Sequence, residues 1–325
     1  MRIIAAAICT LVSLTVPGAA ETGLNPNRPV RIVVPFAPGG SNDVVARLLA
    51  QSWEKKIAPT IVVENKTGAG GNIGTEFAAK AEADGHTLLV VANQITMYPV
   101  FKAKPNYHPL KDFVPVAKVG SQPVVLVVST KLPVSSFKEF VELARKRSET
   151  EPLTFGSPGF GSPHHVFFEQ MLKNLNIKMV HVPFRGIAPA VTEVVAGRID
   201  MTFATENSAA SLAKAGNVTP LAVLGPERVA LLPDVPTSAE QGYPEVKAGF
   251  WYALLAPAST PAAIIEKYNK LVNDDLATKE FQEALLKRGI QPDKQATAAA
   301  FGTLMKSEMD NWQKLSDQGL SIDSN

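Results

Sequence analysis

Short, nearly continuous apolar runs alternate along the chain with longer stretches in which apolar residues return every three to four positions. Ile32, Val33 and Val34 form one such run, which predicts a strand over Arg31 to Pro35 covered on both faces. Val45, Leu48, Leu49 and Trp53 then fall on one face of a helix. Between the two lies a glycine loop, Phe36 to Ser41. Ser41 stands where a helix N-cap is expected, Asp43 suits the positive end of the helix dipole, and Gly39 and Gly40 let a ligand approach the backbone with no Cβ in the way. A helix start of this kind presents unpaired N–H groups to an anion.

The same order returns. A strand over Ile61 to Glu64, the loop Asn65 to Gly71 and a helix over Asn72 to Ala83 make a second unit, followed by a strand over His86 to Ala92. Phe113 to Val119 and Pro123 to Ser129 are strands, and Ser135 to Arg147 is a helix. After a polar break at Glu149 to Pro152, a second set begins with Leu153 to Phe155, the loop Gly156 to Ser162 and a helix over Pro163 to Leu175. Met179 to Val182, Ile199 to Phe203 and Leu221 to Leu224 are its further strands, with a helix over Pro189 to Ala196. Phe250 to Ala256 is a last strand, and Pro261 to Ala277, Lys279 to Arg288 and Thr297 to Leu315 are helices. This grammar predicts an α/β fold in two lobes joined by a hinge, with an interlobe cleft. Residues 21–123 together with 249–325 form lobe 1, residues 124–248 form lobe 2, and Val124 to Val128 and Phe250 to Ala256 cross between them.

Composition narrows the chemistry. Within the 325 residues, Arg2, an apolar segment Ile3 to Val16 and the small residues Gly18, Ala19 and Ala20 make residues 1–20 a secretory signal peptide cleaved after Ala20. Cys9, the single cysteine, lies inside it, so the mature chain has no disulfide and no thiolate. Without Arg2, the 32 Lys and Arg fall by one against 30 Asp and Glu, which gives no support for a nucleic-acid partner. Gly68 to Gly74 departs from a dinucleotide fingerprint at Ile73, no glycine loop is followed by GKS or GKT, and no G-x-S-x-G or H-E-x-x-H occurs. No catalytic residue, cofactor or metal is therefore expected. Arg185, in a strand-to-helix loop, has the fork to grip a carboxylate, and equally the reach for a surface or interlobe salt bridge.

The segments PVRIVVPFAPGGSNDVVAR, VVENKTGAGGNIGTEFAAKAEADGHTLLV, PLKDFVPVAKV, FGSPGFGSPHHV, VPFRGIAPAVTEVVAGRID, LLPDVPTSAEQGYPE and WYALLAPASTPAAII together resemble the tripartite tricarboxylate transporter (TTT) substrate-binding proteins, the Bug family. The resemblance implies a type II periplasmic-binding-protein fold and a monomeric, non-enzymatic periplasmic receptor. Such a receptor closes on a small organic carboxylate, here a di-, tri- or aromatic carboxylic acid, and delivers it to a membrane permease of one small and one large subunit. It further implies that backbone amides and water at the first two glycine loops hold the carboxylate. Carried over by motif, Phe36, Pro38, Gly39, Ser41 and Asp43 belong to the first loop and Gly70, Gly71 and Asn72 to the second. Ser157, Gly159, Ser162 and His164 face them from the other lobe, with Arg185 and Thr205 further along the cleft. His108, Phe184 and Ala204 depart from the family pattern, and the missing carboxylate at position 204 points to a ligand without an amine. A receptor of the same build reporting to a sensor kinase, or an enzyme using the same cleft, are the alternative readings.

Overall fold

The computed structural model describes residues 23–54, 56–57, 60–101, 105–294 and 297–320. The leader expected over residues 1–20, with Cys9, lies outside them. The first elements are β1 (Val30–Val34), α1 (Ser41–Trp53), β2 (Ile61–Asn65), a 3₁₀ turn (Ala69–Gly71), α2 (Asn72–Ala79), β3 (Thr87–Ala92) and α3 (Gln94–Phe101). Then come β4 (Phe113–Ser129), α4 (Phe137–Arg147), β5 (Thr154–Ser157), α5 (Pro163–Leu175), β6 (Val180–Pro183), α6 (Ile187–Ala196), β7 (Met201–Thr205), α7 (Glu206–Lys214) and β8 (Val218–Val223). The chain ends with β9 (Gly249–Pro257), α8 (Ala262–Leu276), α9 (Lys279–Leu286), β10 (Gln291–Pro292) and α10 (Ala298–Asp317).

The strands lie in the order β2-β1-β3-β9-β4-β7-β5-β6, with β8 and β10 also paired to β4. Parallel pairing joins β1 to β2 and β3, and β5 to β6 and β7, whereas β4 and β9 run antiparallel to each other and to their other neighbours. One long strand replaces the two expected over Phe113 to Ser129. Through Pro123 it pairs with β9, and from Val124 it pairs with β7, so β4 begins in one sheet and ends in the other. The passage between lobes therefore sits at Gln122 to Val124, earlier than the expected Val124 to Val128, which lies wholly inside the second sheet.

Alternation along β1 confirms that both faces are covered. Val30, Ile32 and Val34 join a cluster with Val45, Leu49 and Trp53 of α1 and Ile264, Ile265 and Tyr268 of α8, while Val33 joins the opposite cluster with Trp251, Phe301 and Met305. In the second sheet Val124, Leu126 and Val128 pack with α4 and α5, and Val125 and Val127 on the other face with Val194 and Ala209. One buried carboxylate ties α1 to α8: Asp275 accepts from Trp53 Nε1 and Lys56 Nζ, both at 2.7 Å. Paired in this way, the charge avoids the penalty of an isolated buried ion.

At Gly74 the chain tolerates only hydrogen. A Cβ there would lie 2.5 Å from Lys66 O and 2.8 Å from Pro35 Cα, both backbone atoms that cannot swing aside. Gly74→Ala gains about 1 kcal/mol of helix propensity. It loses roughly 1–3 kcal/mol to overpacking, so the net sign is destabilising. Urea unfolding of this variant is expected to show a lower midpoint at an unchanged m-value.

Candidate functional site

A cleft of about 390 Å³ opens where the two sheets meet. Lobe 1 contributes Phe36, Ser41, Asn42, Gln94 and Tyr98, the hinge strands contribute Gln122, Val124, Phe250 and Tyr252, and the facing lobe contributes Pro158, Ser162, Pro163, His164, Ile187 and Thr205. Five helix N-termini converge on it: Ser41 and Asn42 open α1, Gln94 opens α3, Ser162 caps α5, Ile187 opens α6 and Thr205 caps α7. Each brings first-turn N–H groups and the positive end of a dipole. Among the described residues, no Lys, Arg, Asp or Glu lines the cleft. Its field is therefore that of helix termini and neutral donors, which suits an anion.

The first loop differs in detail from expectation. Gly40, with extended backbone (φ −74°, ψ 167°), stands at the cap position, and Ser41 is the first helical residue. Its hydroxyl is turned instead to Gln122 Oε1 at 3.4 Å. No side chain caps α1, so its leading N–H groups stay available to the cleft. Asp43 is buried and occupied: Gly39 N, Arg47 Nε and Asn65 Nδ2 each donate to it at 2.9 Å. Burial works to raise its pKa, but the hydrogen bonds from Arg47, Gly39 and Asn65 and the Arg47 charge outweigh it and hold the carboxyl below its usual range. Asp43 thus fixes the loop, while Pro38 is exposed at its tip.

The second loop stands one layer back. Residues 68 to 71 all have positive φ, including Ala69 at 49°. A Cβ on Gly71 would lie 2.9 Å from Phe36 Cζ, so this loop is the backing on which Phe36 rests. Gly70 belongs to the same turn, and the Asn72 side chain accepts from Tyr107 OH at 2.9 Å. The structure brings Phe36, Ser41, Ser162, His164 and Thr205 together at the cleft surface, and Gly70, Gly71 and Asn72 are not among the residues lining it.

In the facing lobe Ser157 is fully buried, its hydroxyl 3.1 Å from Gly159 N, which donates to it, and 2.7 Å from His181 Nε2. His165 accepts from Gly161 N at 3.1 Å, and the His165 and His181 rings stack with centroids 3.9 Å apart. The loop from Ser157 to Ser162 is thereby held on two imidazoles. Burial pushes the His164 pKa down to about 4, so the side chain facing the cleft is neutral near pH 7. Arg185 is exposed, is not among the residues lining the cleft, and makes no ion pair among the described residues. Gln122, which the sequence reading did not single out, and Tyr252, which lies in the expected crossing strand Phe250 to Ala256, form the floor: Tyr252 OH donates to Gln122 Oε1 at 2.6 Å, and Gln122 Nε2 donates to Arg288 O at 3.0 Å. No local sequence signal marks them, because the site appears only when β4 and β9 pair.

A two-lobed α/β body with a hinge of two strands and a cleft collecting helix N-termini defines a solute receptor of the type II periplasmic-binding-protein fold. The chain belongs to the family described as "Tripartite tricarboxylate transporter family receptor", which matches residues 45–318 and consists of binding proteins, not enzymes. Protein BugT of Bordetella pertussis is 34% identical over 281 residues, covering 86% of this chain and 85% of BugT. A solved protein of R. palustris with adipate is 30% identical with a TM-score of 0.75, covering 90% of this chain and 97% of the other. MatC from Rhodopseudomonas palustris with bound malate is 31% identical with a TM-score of 0.73, covering 90% and 99%.

Two partly buried groups set opposite pH dependences. Burial, with the charge of His165 adding to it, pushes the His181 pKa down to about 4 from 6.5. Between those values the unfolded chain binds a proton that the folded chain refuses, so this contribution to stability is lost as pH falls. Glu308, which accepts from Trp251 Nε1 and Thr96 Oγ1 at 2.9 Å, is pushed by burial up to about 7 from 4.5. Its contribution is present at low pH and is lost as pH rises through about 7. In urea unfolding from pH 4.5 to 7.5, His181→Asn is expected to weaken the acid loss of stability and Glu308→Gln to deepen it.

Proposed function

We propose that this chain is an exported periplasmic receptor, cleaved after Ala20, that captures a small organic carboxylate between its lobes and delivers it as a monomer to a two-subunit membrane permease. The observation that carries the reading is the convergence of five helix N-termini on a cleft that, among the described residues, has no charged side chain in its lining. Such a site stabilises negative charge with preorganised N–H groups. It offers no carboxylate to an ammonium group, and Ala204 is buried in an apolar cluster, which favours a di-, tri- or aromatic carboxylic acid over an amino acid. The relatives solved with adipate and malate support the same class. Lobe 1 as 21–123 with 249–325 and lobe 2 as 124–248 are supported by the change of β4 partner after Pro123 and by β9 beginning at Gly249.

Binding drives closure because the ligand touches both walls only when they approach, so its differential affinity shifts the open–closed equilibrium. A ligand at a hundred times its Kd adds about 2.7 kcal/mol of stability, enough to raise Tm visibly. Thermal shift of the mature protein is expected to respond to dicarboxylic, tricarboxylic or aromatic acids and not to aspartate or glutamate; a response to the amino acids alone would overturn the assignment. Gly71→Val, which drives Phe36 from its place, is expected to abolish that response while leaving a cooperative unfolding transition.

A further inference from the structure

Beside the cleft lies a basin of about 340 Å³. It shares Ser41, Gln122 and Thr205 with the cleft, so the two are continuous. Their chemistry differs sharply. Where the cleft has only neutral side chains, the basin is lined by Lys287 and Arg288, with Asn207 between the lobes. Among the described residues, neither the Lys287 nor the Arg288 side chain makes an ion pair or a hydrogen bond.

Their backbone, by contrast, is fixed. Arg288 O accepts from Gln122 Nε2 at 3.0 Å, and Lys287 O accepts from Asn207 Nδ2 at 3.4 Å. After α9 the chain turns through Gly289 at φ +70°, with Ile290 N donating back to Leu285 O at 3.1 Å. The turn is thus anchored to the hinge strand on one side and to α7 of the facing lobe on the other. Of the acids in the surrounding elements, Glu283, one turn before Lys287, lies 3.7 Å from Lys279 Nζ, Asp43 is paired with Arg47, and Glu206 accepts from Leu231 N at 2.7 Å. Two basic side chains with no ion pair among the described residues therefore stand at one end of the cleft.

We propose that this basin is the subsite for the second acidic group of a two-headed ligand, and that Lys287 and Arg288 select an α,ω-dicarboxylate over a monocarboxylate of the same length. The inference rests on the carboxylate reading of the cleft. One carboxylate meets the helix N-termini, the aliphatic body lies along Phe36, Val124, Phe250 and Tyr252, and the second carboxylate reaches the basic pair past Ser41 and Thr205. An arginine fork adds geometry to the charge, whereas lysine acts as a point charge.

The test is calorimetry on the mature protein with succinate, glutarate, adipate and pimelate, each against its monocarboxylate: butyrate, valerate, hexanoate and heptanoate. Wild type is expected to bind at least one diacid more tightly than its partner. The double variant Lys287→Gln/Arg288→Gln is expected to lose roughly tenfold for that diacid, as two exposed charge pairs allow. Its monocarboxylate affinity stays put, and the ionic-strength dependence of diacid binding flattens. The variant keeps the backbone hydrogen bonds of the turn, and its Tm should match wild type. Equal losses for both ligand types, no loss for either, or wild-type preference for the monoacids would overturn the subsite while leaving the carboxylate receptor standing. Wild-type binding of none of the eight acids would overturn the carboxylate reading itself, and the subsite with it.

Discussion

The antiparallel pairing of β4 with β9 is the constraint on which the rest of the molecule depends. It runs from Phe113 opposite Pro257 to Pro123 opposite Gly249, with irregular register between Pro115 and Ala117 and again between Lys118 and Gly120. Bulges of this kind bend and twist a strand, and here they fall just before β4 leaves one sheet for the other. Close approach is required at the same place: a Cβ on Gly120 would lie 2.6 Å from Gln291 O, and one on Gly249 3.1 Å from Gln122 O. Gln122, four per cent exposed, uses its amide to join Tyr252, Ser41 and Arg288 at this junction. Clusters cover both faces of each sheet, and one of them joins Met97 and Tyr98 of α3 and Trp312 and Leu315 of α10 to the α4–α5 core of the second sheet, so these two helices also pack across from the first sheet to the second.

The helices owe their convergence to the same sheet order. In each parallel set the strand ends at the cleft and the following helix starts there, so β1 delivers α1, β3 delivers α3, β6 delivers α6 and β7 delivers α7 with their N-termini inward. Concentrating partial positive charge in this way needs no cationic side chain, and no desolvated lysine or arginine has to be compensated when the site is empty. Asp43, in the first turn of α1, would cancel part of that field, and Arg47 pairs with it. His164 and Tyr252 complete the neutrality, the one pushed by burial down to about 4 and the other up to about 12.

What the sequence made legible was local. The strand, glycine loop and helix of Val30 to Trp53 and of Thr154 to Leu175 are encoded by apolar period and glycine position within some two dozen residues, and both stand as read apart from the cap at Gly40. Helix α3 was not legible: Pro99 sits inside it and its residues are apolar on every side, so no period distinguishes it from a loop or a strand. Nor could the order of layers be read. The second glycine loop has the composition of a ligand cradle, and its contact with the first, Gly71 against Phe36, appears only once the two loops are packed together. The floor at Gln122 and Tyr252 joins residues 130 positions apart, a relation that exists only after the sheets have formed.

A neutral chamber flanked by an ungripped basic pair also separates two tasks that a single arginine clamp would merge. Attraction over distance falls to Lys287 and Arg288, whose exposed charges act through solvent and are screened by salt. Under the proposed function, retention falls to the N–H groups of α1, α5 and α7, which would gain strength as closure removes water from between the lobes and lowers the local dielectric. The stabilisation is then realised in the closed form and little of it in the open one. That difference, not the total affinity, is what moves a hinged protein between its two states.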